Sequence, residues 1–211
     1  REDLAQAAAR LTSKRTGAAK RLARAVEGEL ARLRMDRTVF RVEVAPRGEI
    51  GPHGADRIEF LMAANAGEEP KALVKTASGG ELSRAMLAIK KSLLGVAAPP
   101  TLVFDEVDVG IGGETAVAVG DVLAEVAGRH QLLVITHLAQ IAARGRRQLR
   151  VLKEEREGRT FCRVEALEGA ERVREIARML GGERHGPASL EAAEEMLAAG
   201  RGEVRAKGTK K

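Results

Sequence analysis

The spacing of apolar residues predicts one long helix at the start of the chain. Between residues 1 and 35 they recur at close to heptad spacing, with Arg, Lys and Glu between them. The apolar positions are Leu4, Leu11, Ala18, Leu22, Ala25, Leu30 and Leu33. The pattern predicts either an amphipathic helix that lies on the domain or the end of an antiparallel coiled coil whose other helix is not in the chain. Because the sequence begins at Arg1 inside this pattern, we expect a piece of a longer protein.

Two strand signals follow the predicted helix. Apolar and polar residues alternate from Thr38 to Ala45, and Arg57 to Asn65 has the composition of a second strand. Between them, the segments 46–48 (Pro-Arg-Gly) and 51–54 (Gly-Pro-His-Gly) carry turn residues. The pattern therefore predicts two short strands separated by turns at both segments.

From about Val74 onward, helices alternate with short apolar strands. The predicted helices cover 81–94, 114–127, 172–180 and 190–199, the predicted strands cover 101–104 and 131–136, and a hairpin covers 149–167. In the first of these helices, one face is predicted to carry Leu82, Met86, Ile89 and Leu93. This alternation is typical of an α/β layer with a largely parallel sheet and flanking helices. We therefore expect a helix over 1–35, an α/β region over 36–200 and a flexible basic tail over 201–211.

Composition narrows the functions that such a chain could have. Aromatic residues make up 2% of the 211 residues, so single-stranded nucleic acid could not be bound on aromatic platforms. The net charge of +6 suits a polyanionic partner bound through electrostatics. One cysteine, Cys162, excludes an internal disulfide framework. No apolar run approaches the roughly 18 residues that span a bilayer, so a cytoplasmic location without membrane contact is expected.

The segment Ser78-Gly79-Gly80-Glu81 opens the first predicted helix of the α/β region. The Ser78 hydroxyl can accept a hydrogen bond from the N–H of Glu81, whose carboxylate can reach back, which makes a capping box. The two glycines allow close approach, and free N–H groups at a helix N-terminus favour an anion. The segment predicts either a plain helix cap or an anion-binding helix start.

Two acids, Asp105 and Glu106, end the apolar strand predicted over 101–104. The carboxyl edge of such strands is where α/β folds bind ligands. One carboxylate can hold Mg²⁺, and the next can orient or deprotonate a water molecule. The alternative is a solvated turn.

Two more polar residues follow these acids. Asp108 begins a glycine-rich loop, and His137 follows the strand predicted over 131–136. Since His137 is expected at the same sheet edge as Asp105, it could contact a phosphate there. The alternative is a hydrogen-bonded structural histidine.

The order of these motifs resembles the C-terminal half of ABC-type ATPase heads. The residues around them resemble the RecN family, SMC-like bacterial proteins of DNA double-strand-break repair. The resemblance extends over essentially the whole chain and is carried by the segments 75–84, 104–111, 136–142 and 171–182. It implies that residues 36–200 form the C-terminal half of such a head and that residues 1–35 end a coiled coil.

The resemblance also implies roles for the motifs. Ser78, Gly79, Gly80 and Glu81 match the signature motif, which closes over the γ-phosphate of ATP held by the opposite head of a dimer. Asp105 matches the Walker B acid that supports Mg²⁺, and Glu106 matches the catalytic base. Asp108 matches the acid of the loop that communicates across the dimer interface, and His137 matches the switch histidine.

One motif of such heads does not occur in this sequence. A phosphate-binding loop needs a Gly-Lys pair followed by Ser or Thr, and no such triplet occurs. In SMC-like proteins this Walker A motif lies in the N-terminal half of the head. The resemblance therefore implies that ATP and Mg²⁺ are used only together with that half and a second head. The chain by itself is expected to hydrolyse no ATP.

Basic residues suggest where DNA could bind. The candidates are Arg144, Arg146, Arg147 and Arg150, with Lys207, Lys210 and Lys211 in the tail. Such contacts would give sequence-independent, salt-sensitive binding of double-stranded DNA and DNA ends, as expected of a nucleoid-associated repair and recombination protein. The alternative for each cluster is a solvated charged surface.

Three other functions remain open from the sequence. The chain could be the head of another SMC-like protein, or a non-catalytic module that binds DNA or protein. It could also be a metal-dependent nuclease with two ions held by Asp105, Glu106, Asp108 and His137.

Overall fold

Helix α1 (Glu2–Arg32) follows the apolar stripe and confirms the predicted long helix. The computed structural model describes residues 1–75, 79–94, 101–156 and 158–200. Near the C-terminal end of α1, Val26, Leu30 and Leu33 are fully buried, whereas Leu4 is 56% exposed. The end of the helix therefore packs on the domain, while part of the apolar stripe stays uncovered.

The chain divides into two compact units. The first comprises Arg1–Gly110 with Glu125–Val134, and the second comprises Ile111–Ala124 with the residues from Ile135 onward.

In the first unit, α1 lies on an antiparallel sheet of β1 (Val39–Gly51), β2 (Gly54–Ala63) and the short β3 (Lys71–Ala72). Phe40 pairs with Met62 across β1 and β2, and both side chains are buried. A 3-10 turn, Leu73–Lys75, follows β3.

The predicted turn at 46–48 is wrong, because β1 runs through it to Gly51. The pairing register shifts between Pro46 and Gly51, and Gly48 has a φ of 89°, which suits a glycine. The extra residues are thus absorbed as an irregularity within the ribbon, and the chain reverses only after Gly51.

Helix α2 (Gly79–Ser92) and the parallel strands β4 (Thr101–Phe104) and β5 (Gln131–Val134) also belong to the first unit. The helix starts two residues before the predicted start, and its predicted apolar face is only partly right. Met86 is 37% exposed, and the buried residues of the helix are Gly80, Arg84, Ala85, Leu87, Ala88 and Ile89. The small residues and one arginine, rather than the large apolar ones alone, define the packed face.

Three helices meet at a charged junction in the first unit. Glu125, near the end of α3 (Gly113–Ala127), binds Arg32 at the end of α1 and Lys91 in the last turn of α2, the latter at 2.5 Å. Hydrogen bonds from Arg32 and then Lys91 lower the pKa of Glu125 to about 2.

The described part of the second unit contains the predicted hairpin, β6 (Gln148–Arg156) with β7 (Arg159–Leu167), most of α3, and three further helices. The further helices are α4 (Ala139–Ala142), α5 (Gly169–Gly181) and α6 (Pro187–Gly200). One buried cluster of this unit is small and aliphatic, and is formed by Ala139, Ala143, Ile176, Ala177, Ala193 and Leu197.

The described residues therefore form an α/β fold, as expected. Parallel pairing is limited to β4 and β5, whereas the other two sheets of the described ranges are antiparallel. None of the described helices combines the length and the apolar character needed to cross a membrane.

Candidate functional site

The start of α2 and the loop after β4 are held together in the first unit. The Ser83 hydroxyl donates a hydrogen bond to the carbonyl oxygen of Asp105 at 2.8 Å. The Arg84 guanidinium donates to the carbonyl oxygen of Val109 at 3.1 Å. The glycine-rich helix start and the acidic loop, which lie more than twenty residues apart in sequence, thus form one local site.

Two glycines make this contact possible. A Cβ atom added at Gly79 would collide with the Oε2 atom of Glu106. A Cβ added at Gly80 would lie 2.6 Å from the carbonyl oxygen of Val109 and 3.2 Å from Arg84 Nη1. Since real Cβ atoms do not approach backbone oxygen this closely, Gly80 is required for the loop to sit against the helix. A side chain at position 79 would instead displace the end of the Glu106 side chain.

The acid pair lies directly after β4, at its carboxyl end. Asp105 is exposed, and its Oδ1 atom accepts a hydrogen bond from the backbone N–H of Glu106 at 3.0 Å. Glu106 has a φ of 59°, in the left-handed region that a residue with a side chain rarely adopts. Its carboxylate lies against Gly79 at the N-terminus of α2, where the helix dipole favours a negative charge.

Arg84 is a residue of this site that the sequence did not reveal. It is 8% exposed, and burial lowers its pKa, while the charge of Glu81 opposes that change. Its burial depends on a tertiary contact with the loop, so helical spacing alone gave no signal for it. Asp108, in the same loop, is 3% exposed.

Other predicted site residues lie elsewhere. Strands β4 and β5 end at the same sheet edge, as expected, because Phe104 pairs with Val134 in parallel register. His137 follows β5, is exposed and belongs to the second unit. Ser78 and the tail lysines Lys207, Lys210 and Lys211 lie outside the described residues.

The four arginines proposed for DNA differ in their surroundings. Arg144 donates to Asp121 at 2.7 Å, and Arg150 binds Glu165 at 2.8 Å and Glu175 at 3.4 Å. The remaining two, Arg146 and Arg147, are exposed. Two of the four cations are thus engaged with carboxylates of the chain itself.

Within the described ranges, no three His, Cys, Asp or Glu side chains come close enough together to hold a metal ion. The nuclease alternative, which needs such a cluster, gains no support.

Comparison with solved structures identifies the class of fold. The chain superposes on an Smc head domain with coiled coil from Pyrococcus yayanosii with a TM-score of 0.53 and 21% identity, covering 74% of this chain and 28% of that one. An Smc head domain from Pyrococcus furiosus, solved with the C-terminal domain of ScpA, gives 0.51 and 22% identity, covering 78% of this chain and 39% of that one. The fold is that of an SMC-type ATPase head.

Sequence comparison is more specific. DNA repair protein RecN of Treponema pallidum is 46% identical over 196 residues, covering 90% of this chain and 34% of the relative. RecN of Rickettsia bellii is 44% identical over 187 residues, covering 89% and 34%. No family model matches the chain. The chain belongs to the RecN family, and it spans about a third of the length of these curated relatives.

Proposed function

We propose that the chain is the C-terminal half of the ATPase head of a RecN-type protein, and that it acts in DNA double-strand-break repair and recombination at the nucleoid. In this proposal residues 1–35 end a coiled coil, residues 36–200 are the half-head, and residues 201–211 are a basic tail. The observation that carries the proposal is the close contact between the Gly79–Gly80 helix start and the loop that bears Asp105 and Glu106.

An uncovered sheet face supports the idea that another part of the head completes this one. Leu102 and Phe104 are buried on one side of β4, but Val103 is 63% exposed, and Leu133 of β5 is 49% exposed. Parallel sheets are normally covered on both faces. We infer that the N-terminal half of the head, which carries the phosphate-binding loop, covers this second face.

The exposed acids fit a site for ATP and magnesium. Mg²⁺ bound to phosphates takes only one or two carboxylates from a protein and keeps several waters, and Asp105 offers one exposed carboxylate at a strand end. Together, ATP and its metal supply the transferable phosphoryl group and neutralise its charge. Asp105 would support the metal, directly or through water, and Glu106 would take the proton of the attacking water.

The signature motif acts on the nucleotide of a second head, and two further motif residues complete the site. Gly79, Gly80 and Glu81 present backbone N–H groups to the γ-phosphate held by the partner head, as a helix N-terminus can. Ser78, which lies outside the described residues, is the remaining residue of this signature motif. Asp108 communicates across the interface of the two heads, and His137 responds to the phosphate. ATP therefore joins two heads, and hydrolysis separates them.

Reconstitution tests this proposal. ATP hydrolysis should be undetectable with the chain alone and with the N-terminal half alone, and should appear when the two are mixed. Head dimerisation, followed by light scattering, should require ATP and both halves. Steady turnover by the chain alone, or no turnover by a mixture that forms a stable complex, would overturn the proposal.

A further inference from the structure

The first helix has a one-sided charge that its packing does not explain. Between Leu4 and Val26, α1 contains six basic residues and no acidic residue. They are Arg10, Lys14, Arg15, Lys20, Arg21 and Arg24. An exposed helix normally mixes both signs of charge, since pairs at i,i+4 stabilise it. A helical segment of this length whose charged residues are all basic is suited to binding a negatively charged partner.

Among the described residues of the first unit, only one of the six has a carboxylate partner. Arg15 binds Asp56 of β2 at 2.9 Å, and Asp56 also accepts a hydrogen bond from Thr12 at 2.6 Å. These contacts, together with the Leu11 side chain against Gly54, fix the middle of α1 on the sheet. The helix is therefore a rigid support for the other five charges.

The other five basic residues lie on the exposed side of α1. All five are exposed, whereas Ala8, Ala19 and Val26 are buried on the side that packs on the unit. At about 100° per residue, Arg10, Arg21 and Arg24 lie opposite that packed side. In the described part of the chain, no carboxylate is within ion-pair distance of any of the five.

The spacing of these charges suits an extended polyanion. Arg10 and Arg24 are fourteen positions apart, which is about 21 Å along a helix. Phosphates of duplex DNA repeat about every 3.4 Å along each strand, so several phosphates fall within this length. Helix α1 has no aromatic residue on which unpaired bases could stack. The exposed apolar positions Ala18 and Ala25 lie about 100° or more around the helix from Arg24, so a second helix packed there would leave Arg24 accessible.

We propose that the exposed face of α1 binds the phosphate backbone of double-stranded DNA without sequence preference, through Arg10, Lys14, Lys20, Arg21 and Arg24. This inference rests on the proposed role in DNA repair, but it assigns a DNA contact to residues other than those expected from the sequence. The reason is that Arg144 and Arg150 already bind carboxylates of the chain, whereas the five residues on α1 do not.

The test is the salt dependence of binding to a short duplex of mixed sequence, measured by fluorescence anisotropy with no nucleotide present. The variant is Arg10→Gln/Arg21→Gln/Arg24→Gln, since glutamine keeps helix propensity. The matched control is Arg129→Gln/Arg159→Gln/Arg184→Gln, which removes the same charge from exposed arginines elsewhere. Each lost phosphate contact lowers the slope of log affinity against log salt by about 0.9. Between about 50 and 200 mM salt, the parent should therefore lose about 40-fold more affinity than the variant.

The expected result is weaker, less salt-sensitive binding for the α1 variant only. The variant Arg10→Lys/Arg21→Lys/Arg24→Lys should bind like the parent, and this comparison separates loss of charge from loss of fold, which circular dichroism also monitors. Equal losses in the variant and the control, or unchanged binding by the variant, would overturn the inference. Unchanged DNA binding by the α1 variant, with intact hydrolysis in the mixed head, would reject this surface alone. Normal DNA binding with no hydrolysis would reject only the proposed ATPase role.

Discussion

Glu175 in the second unit and Glu106 in the first are glutamates in opposite surroundings. Glu175 is 6% exposed and accepts hydrogen bonds from Arg178 at 2.7 and 3.0 Å and from Arg150 at 3.4 Å. The hydrogen bonds from Arg178, ahead of those from Arg150, lower its pKa. Glu106 is exposed, follows an apolar strand in a left-handed conformation and lies against a glycine at a helix start.

The difference separates acids that stabilise the fold from acids that are available for chemistry. A buried carboxylate bound by two arginines has its charge satisfied and cannot readily exchange those partners for a ligand. A left-handed backbone conformation at a residue with a side chain costs free energy, and such strain is typically found at functional sites. Glu175 is therefore assigned to stability, and Glu106 is the residue on which the proposed reaction depends.

The largest effect on stability is expected from removing the buried acid. Glu175→Ala removes the carboxylate that Arg150 and Arg178 share, so the free energy of unfolding should fall by about 2 kcal/mol. The loss is limited because the two arginines keep Glu165 and Glu183 as partners. The exposed Glu106→Gln should change it by less than about 0.5 kcal/mol. Urea unfolding followed by circular dichroism measures both. Equal effects of the two changes would remove the distinction drawn between these acids.

A smaller effect is expected at the glycine that carries the acidic loop. Gly80→Ala puts a Cβ 2.6 Å from the carbonyl oxygen of Val109, so the loop must move, at a cost of about 1–2 kcal/mol after the helix propensity of alanine is included. Gly112→Ala is the matched control, because no atom lies within 4 Å of its added Cβ. Hydrolysis by the mixed head should fall with Gly80→Ala and not with Gly112→Ala. If both alanine variants were as stable and active as the parent, the close packing of helix and loop would have no functional role.

The smallest effect is expected from a third acid, Glu125, whose ion pairs in the first unit make the free energy of unfolding depend on pH. The pKa of Glu125 is lowered to about 2 in the folded chain, so its ion pairs stabilise the fold above about pH 4.5 and lose this contribution as the pH falls towards 2. Because Glu125 is 41% exposed, solvent screening limits this contribution to about 1 kcal/mol. Glu125→Gln should flatten the fall in unfolding free energy between pH 5 and 3, as measured by urea unfolding. A parallel curve for the variant would show that these ion pairs do not contribute.

The sequence predicted the elements whose signals are local. The strand Thr101–Phe104 was predicted with its observed bounds, because four residues that suit a buried strand run directly into two acids. The turn expected at Pro46 was wrong, since pairing with β2 overrides turn residues and continues the strand to Gly51. Helix α2 starts at Gly79 rather than Glu81, where the packing of the glycines on the loop outweighs their poor helix propensity.

The contacts of the site depend on residues far apart in the chain. Arg84 donates a hydrogen bond to the carbonyl oxygen of Val109, and Arg144 donates one to Asp121. No periodic pattern in the sequence connects the two members of either pair. The motif order predicted which segments matter, and the two glycines predicted close approach at the helix start. The sequence could not distinguish basic residues that are already paired with a carboxylate, such as Arg150, from the exposed basic residues of α1 that could bind DNA.

The role of Glu106 is tested most directly by ATP hydrolysis in a mixture of the chain and the N-terminal half of a RecN head. The parent is compared with Glu106→Gln and with the control Glu155→Gln, which changes another exposed glutamate. If Glu106 is the general base, Glu106→Gln should lower the rate by about 10²- to 10⁴-fold while ATP still joins the heads, and Glu155→Gln should hydrolyse ATP like the parent. Turnover of ATP at the parental rate by a mixture with Glu106→Gln would show that Glu106 is not the general base.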